Sequence, residues 1–328
     1  METTRREALG LAGVAAAAAA AMAGKSGQAM AAPNLGSSTK TLFWTATITP
    51  CDKSQKFDPG AFREILAWYK HCGADGVVVL GTSGEFPSFS VAERKQIAEV
   101  ALKDKHGLNV IVGPGTSNIA ETVELARHAQ DHGADGLLVI PPFYFNEPPV
   151  AGLTRYYSML FNQVRIPINL YHIPGTSEAP ITIELLKNLS HYPNLAGIKD
   201  SSGSAEGYKA FAEAFPALNM RTGTNNNLEQ AFDHGMGAIL ADGNVFTKLC
   251  ADVFTAHRAK QDYKPALAKL RTAQREVRGL GGSPAAMKYG LSLQMGGPQI
   301  YPRAPMVEVS GEQKAAIKLA VDKLKDMA

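Results

Sequence analysis

From Thr41 onward, short apolar runs rich in β-branched residues alternate with longer stretches in which apolar positions recur every three or four residues. The short runs predict buried strands and the longer ones amphipathic helices. Eight runs qualify as strands, at residues 42–48, 76–80, 109–112, 136–140, 167–171, 195–199, 220–222 and 238–240. Helix starts lie between them. Asp58 before Pro59 sets a capping side chain ahead of a proline at the first helical position, and Ser90 with Glu93 has capping-box spacing. Further helices are predicted after Asn118, Val150, Ile181, Ser204, Asn226 and Val245.

One phrase recurs where helix gives way to strand: His71-Cys-Gly-Ala-Asp-Gly-Val, Asp131-His-Gly-Ala-Asp-Gly-Leu and Asp233-His-Gly-Met-Gly-Ala-Ile. Each supplies a glycine for a left-handed helix end, followed by a buried run. Such echoes fit a repeated βα unit. Eight strands with a helix after each predict an α/β fold, a closed (β/α)8 barrel over 32–262, rather than an open sheet. No G-x-G-x-x-G follows the first strand to suggest a dinucleotide site. Residues 263–328 read as a C-terminal helical extension, broken near 281–284 and 296–305 by Gly and Pro.

The first 31 residues have a different character. Arg5-Arg6 precedes a weakly apolar Ala/Gly run, and Ala29-Met30-Ala31 has the form of a cleavage site, so 1–31 is expected to be a twin-arginine-type export signal and the protein periplasmic. That run is too short and too weakly apolar to span a bilayer, and no membrane span is expected in the remainder. The chain has 328 residues, 33 basic and 30 acidic, which gives no electrostatic reason to expect nucleic acid as a partner. Cys51, Cys72 and Cys250 are too few for a disulfide framework, and their odd number leaves at least one unpaired.

In a (β/α)8 barrel, chemistry sits at the carboxyl ends of the strands. Lys199 ends the sixth run, where scarce water disfavours an ammonium and leaves free amine to attack a carbonyl carbon. Pairing with Asp200 is the structural alternative. Tyr171 ends the fifth run, and its phenol could move protons on a carbinolamine or fill the barrel mouth with its hydroxyl bonded to backbone. Thr82 and Ser83 stand between Gly81 and Gly84, a setting in which hydroxyls and amides converge on a carboxylate. Taken together, these residues point to imine chemistry on a 2-oxo acid. His128 and His132 are spaced like a metal pair but have no third ligand nearby in sequence, so no metal is expected there. Asp242-Gly243-Asn244 could cradle phosphate, but no basic residue accompanies it.

The motifs Gly81-Thr-Ser-Gly-Glu85, Tyr171-His-Ile-Pro174 and Gly197-Ile-Lys-Asp-Ser-Ser-Gly203 resemble, in order and spacing, those of the dihydrodipicolinate synthase / N-acetylneuraminate lyase superfamily of Schiff-base aldolases. The resemblance runs from Leu42 to Arg303-Ala-Pro305. It implies an imine between Lys199 and pyruvate or another 2-oxo acid, with Tyr171 as acid/base, Thr82 in the proton relay and Ser83 with its amide on the substrate carboxylate. Gly81, Gly223, Asn225, Asn226 and Ile239 complete the implied substrate-binding set. A protonated imine is itself an electron sink, so no cofactor is required.

Departures from the family narrow the activity. The synthases carry an arginine after Y-N-x-P to grip a second carboxylate, and here the chain reads Gly175-Thr176-Ser177. A second relay tyrosine, lent by a neighbouring subunit, is supplied by Tyr144 when counted forward from Pro142, whereas counting back from Asn146 puts Phe145 there. The forward count is preferred because the strand end fixes the phase. His172 stands where the family has asparagine. The expected activity is therefore an aldolase or lyase on a 2-oxo acid, such as a 2-keto-3-deoxy sugar acid with pyruvate as product or substrate, in a homodimer or homotetramer. The 4-hydroxy-tetrahydrodipicolinate synthase itself, an imine-forming dehydratase and an exported binding protein without turnover are the alternatives.

Overall fold

The computed structural model describes residues 42–276 and 283–327, which belong to one compact unit. The expected export signal at 1–31 lies outside the described residues. Eight parallel strands close into a barrel in sequence order: β1 Phe43–Ala46, β2 Gly76–Val79, β3 Asn109–Val112, β4 Gly136–Val139, β5 Ile168–His172, β6 Leu195–Asp200, β7 Asn219–Thr222 and β8 Ala238–Leu240. A helix follows each: α1 Pro59–His71, α2 Val91–Lys103, α3 Ile119–Asp131, α4 Val150–Phe161, α5 Ile183–Leu189, α6 Ala205–Ala214, α7 Leu228–Asp233 and α8 Thr247–Arg258. This is the predicted (β/α)8 architecture.

The local signals act where expected. Asp58 Oδ1 accepts from Ala61 N at 3.0 Å with Pro59 opening α1, and Ser90 and Glu93 form the full capping box of α2. Gly73, Gly133 and Gly235, the glycines of the recurring phrase, take φ of 94°, 79° and 66°. Without a side chain, glycine enters this left-handed region at no steric cost, and the chain turns from helix to strand within a few residues. β5 and β6 each run one residue past the predicted limit, and a single helical turn, Pro174–Ser177, follows β5. The periodicity gave no sign of that turn.

Apolar residues that face outward from the strands, such as Val77, Val79, Leu137 and Leu170, are buried in one cluster with Ile65, Leu66, Ile97 and Ala101 from the helices. This layer between sheet and helices is the core. Three more helices, α9 Lys264–Glu276, α10 Pro284–Met295 and α11 Gly311–Met327, form the C-terminal extension. It is tied to the barrel at several points: Gln294 Nε2 donates to Val245 O at 3.0 Å, and Tyr301 N to Cys51 O at 2.9 Å. Lys288, fully buried, pairs with Glu85 of the β2–α2 loop and donates to Tyr301 O at 3.0 Å. All three cysteines are free and buried, and burial pushes the Cys51 and Cys72 thiols up to about 11. No described helix is long and apolar enough to cross a membrane.

Candidate active site

The β5–β6 ladder pairs Tyr171 with Lys199, and paired residues in a parallel sheet share a face. Lys199 Nζ donates to the Tyr171 hydroxyl at 3.1 Å and lies 4.3 Å from the ring centroid. Each residue is 5% exposed, so this pair works largely out of water. Asp200, next along β6, turns to the opposite face, where its Oδ1 accepts from Ser202 N at 2.8 Å. The alternation of the strand thus rules out the Lys199–Asp200 pairing.

Burial alone would raise the Tyr171 phenol. Burial is the largest single influence, but the Lys199 charge and hydrogen bonds from Thr82, Lys199 and Ser201 together outweigh it, so the phenol is held below its ordinary value. Ser201 was not singled out in the sequence as a neighbour of this phenol. A serine just after a strand is too common to stand out. The signal that could have found it is Gly223, because a Cβ there would come within 1.9 Å of Ser201 Oγ. Glycine on β7's end leaves room for that hydroxyl.

The β2–α2 loop is wound into a 3-10 turn over Thr82–Gly84, closed by Gly84 N to Gly81 O at 3.0 Å and Glu85 N to Thr82 O at 3.1 Å. Thr82 lies at the exposed rim within reach of Tyr171, while Ser83 is buried. Glu85 takes φ of 53°, anchored by the Lys288 ion pair and by Arg303 N at 3.3 Å. The glutamate of the motif therefore holds the loop rather than meeting substrate. A narrow cleft at this end of the barrel is lined by Gly81, Thr82, Phe86, Gly113, Ile140 and Tyr171.

Other predicted residues are placed differently. Asn225 Nδ2 is shared between Asp242 at 3.0 Å and Gln274 at 2.8 Å, while Asn226 is exposed beside it. Ile239 is fully buried on β8, paired with Trp44. His172 faces the helical layer: its Nδ1 accepts from Ile181 N at 3.1 Å and its ring meets Phe211 edge-on. Tyr144 and Phe145 are 84% and 70% exposed, with Tyr144 at φ 90°, so the chain's own fold brings neither to Lys199.

Beside His128 and His132 the fold brings a third group that their spacing in the sequence did not show. Glu99 of α2 is a third candidate ligand, its Oε1 3.0 Å from His128 Nε2, and ligand atoms of all three lie within 4.8 Å of one another. It was hidden because it comes from a different helix. Asn244, in the suspected phosphate cradle, is a structural clasp instead: its amide donates to Ala46 O and Ala241 O and accepts from Ile48 N and the Tyr69 hydroxyl.

Residues 40–324 match the dihydrodipicolinate synthetase family. The chain belongs to that family. Among its relatives, an uncharacterized DapA-like lyase of Chloroflexus aurantiacus is 34% identical, covering 90% of this chain and 98% of the relative. A 4-hydroxy-tetrahydrodipicolinate synthase of Bradyrhizobium diazoefficiens is 32% identical over 87% of this chain and 97% of its own. Among solved structures, YagE of E. coli K12, a family member in complex with pyruvate, aligns at TM-score 0.80 and 26% identity, covering 87% of this chain and 98% of that one. KD(P)GA from T. tenax aligns at 0.79 and 25%, over 88% and 100%. As a member of the dihydrodipicolinate synthetase family, the protein is a lyase of the class I, Schiff-base type.

Proposed function

We propose that the protein makes or breaks the carbon–carbon bond of a 2-keto-3-deoxy sugar acid, with pyruvate held as an imine on Lys199. The observation that carries this reading is the Lys199 Nζ–Tyr171 Oη contact of 3.1 Å in a dry barrel mouth. The unprotonated amine adds to the C2 carbonyl of the 2-oxo acid, and Tyr171 protonates the carbinolamine hydroxyl so that it leaves as water. The protonated imine accepts the electron pair released when the bond beyond C3 breaks, and Tyr171 manages the proton of the departing aldehyde's oxygen. Thr82 and Ser201 steady the phenol in both charge states, and Ser83 with the loop amides receives the carboxylate.

Two observations support a sugar acid over the synthase reaction. No arginine follows Tyr171-His172-Ile173-Pro174, where the synthases bind a second carboxylate, and KD(P)GA from T. tenax shares the fold over its whole length. The 32% identity to curated synthases supports 4-hydroxy-tetrahydrodipicolinate synthase as the second reading. Release of pyruvate from a panel of 2-keto-3-deoxy sugar acids decides between them. Turnover of pyruvate with aspartate semialdehyde, and none on the panel, would overturn the first. Trapping with pyruvate and borohydride followed by peptide mapping is expected to place one adduct, on Lys199.

Two further parts of the reading concern the whole protein. An export signal at 1–31 is supported by Arg5-Arg6 and Ala29-Met30-Ala31. Lysine at both arginines is expected to retain the protein in the cytoplasmic fraction. A homo-oligomer is supported by the exposed Tyr144, which stands where the family resemblance implies a relay tyrosine lent to a neighbouring subunit.

A further inference from the structure

The floor of the barrel, towards the amino-terminal ends of the strands, contains a charge that the aldolase chemistry does not use. Arg221 on β7 is 3% exposed, and no carboxylate pairs with it among the described residues. Burial pushes the guanidinium down only to about 10, so it remains charged at neutral pH. Its Nη1 donates to Asn169 Oδ1 at 2.7 Å, and its Cζ lies 5.6 Å from the Trp44 ring centroid. Asn169 is a neutral partner, held by its own Nδ2 donating to Leu137 O at 3.1 Å.

Three polar groups around this guanidinium are buried without a hydrogen bond: Arg221 Nε, Trp44 Nε1 and the Asn219 side-chain carboxamide at Oδ1. All three residues line one cavity of about 90 Å3, which opens among the amino-terminal ends of the strands. Two of the atoms are N–H donors, and the amide of Asn219 presents a donor when turned over. Asp135 also lines the cavity, but its Oδ2 is occupied by Lys105 Nζ at 2.9 Å and Val110 N at 2.8 Å. The backbone makes room for this polar layer. A Cβ at Gly197 would come within 2.2 Å of Asn219 O, and one at Gly76 within 2.7 Å of the Trp44 ring.

A buried cation with no counter-charge is costly, and a small anion accepting from convergent N–H donors removes that cost. We propose that the floor cavity is a binding site for a small monovalent inorganic anion of halide size, held by Arg221, Trp44 Nε1 and the Asn219 amide. The cavity lies at the amino-terminal ends of the strands, whereas the cleft with Thr82 and Tyr171 lies at their carboxyl ends, so the site is separate from substrate binding. The ladder sets Arg221 beside Lys199, so the proposed site is next to the lysine's strand.

Bromide tests the proposal, because it scatters anomalously. Crystals of the full chain grown with sodium bromide are expected to show one anomalous peak against Arg221 Nε and Trp44 Nε1. In solution, chloride in place of gluconate at equal ionic strength is expected to raise Tm by roughly 2–4 °C at about 100 mM. Arg221→Met should abolish that increment. Trp44→Phe, which keeps an aromatic ring but lacks the donor, should reduce it and serves if Arg221→Met does not fold. Ordered water in place of bromide, or a chloride increment retained in both variants, would overturn the site.

Discussion

Tyr171 has a phenol whose proton is governed by three neighbours, and each can be removed singly. Tyr171→Phe keeps the ring against Lys199 but removes the proton carrier. A fall in kcat of about 10²–10⁴-fold is expected, with the borohydride-trapped Lys199 adduct still formed when incubation is long. Thr82→Val removes one donor to the phenolate, so the phenol's value rises toward its ordinary one and the pH–rate limb set by Tyr171 moves to higher pH. A limb unmoved in that variant would remove Thr82 from the relay. Gly223→Ala would force Ser201 Oγ aside, and a displacement on the ångström scale at a reacting pair costs about 10²-fold in kcat. Lys199 and Tyr171 were legible in the sequence because each ends an apolar run, and a strand end in this fold is where side chains meet substrate. Ser201 and Arg221 were not, since nothing in a one-dimensional pattern says which hydroxyl a glycine on the next strand is clearing space for, or that an arginine inside a strand turns inward.

Elements separated by two hundred residues are joined by the Glu85–Lys288 ion pair, buried on both sides. It links the β2–α2 loop, which carries Thr82 and Ser83, to α10 of the extension. Lys288→Met leaves the Glu85 carboxylate buried and unpaired, and a loss of about 3–5 kcal/mol in urea unfolding is expected. Adding Glu85→Gln should recover most of it, and a double variant no more stable than the single one would show that packing, not charge, is at stake. Helix starts and glycine stops were readable because capping and left-handed turns are local chemistry. The Glu85–Lys288 pair and the Glu99–His128 approach were hidden for the opposite reason: both depend on how separate helices and loops come together.

For the whole molecule, the order and number of strands followed from hydrophobic patterning, since a barrel strand buried on both faces leaves an apolar run in the chain. The assembly around Tyr144 is a matter of subunits. If its phenol is lent to a neighbour, inactive Lys199→Met and impaired Tyr144→Phe proteins should regain activity on mixing under conditions of subunit exchange. Activity equal to the average of the two parents would leave each barrel self-sufficient. The barrel is also uneven around its circumference. β7 and β8 pair through Thr222 and Ala238 alone, whereas β5 and β6 pair through five residues on each strand. Amide deuterium uptake should accordingly begin at this thin join while the β5–β6 flank stays protected, so that early breathing opens the wall behind Asn225 and leaves the lysine's own strand intact.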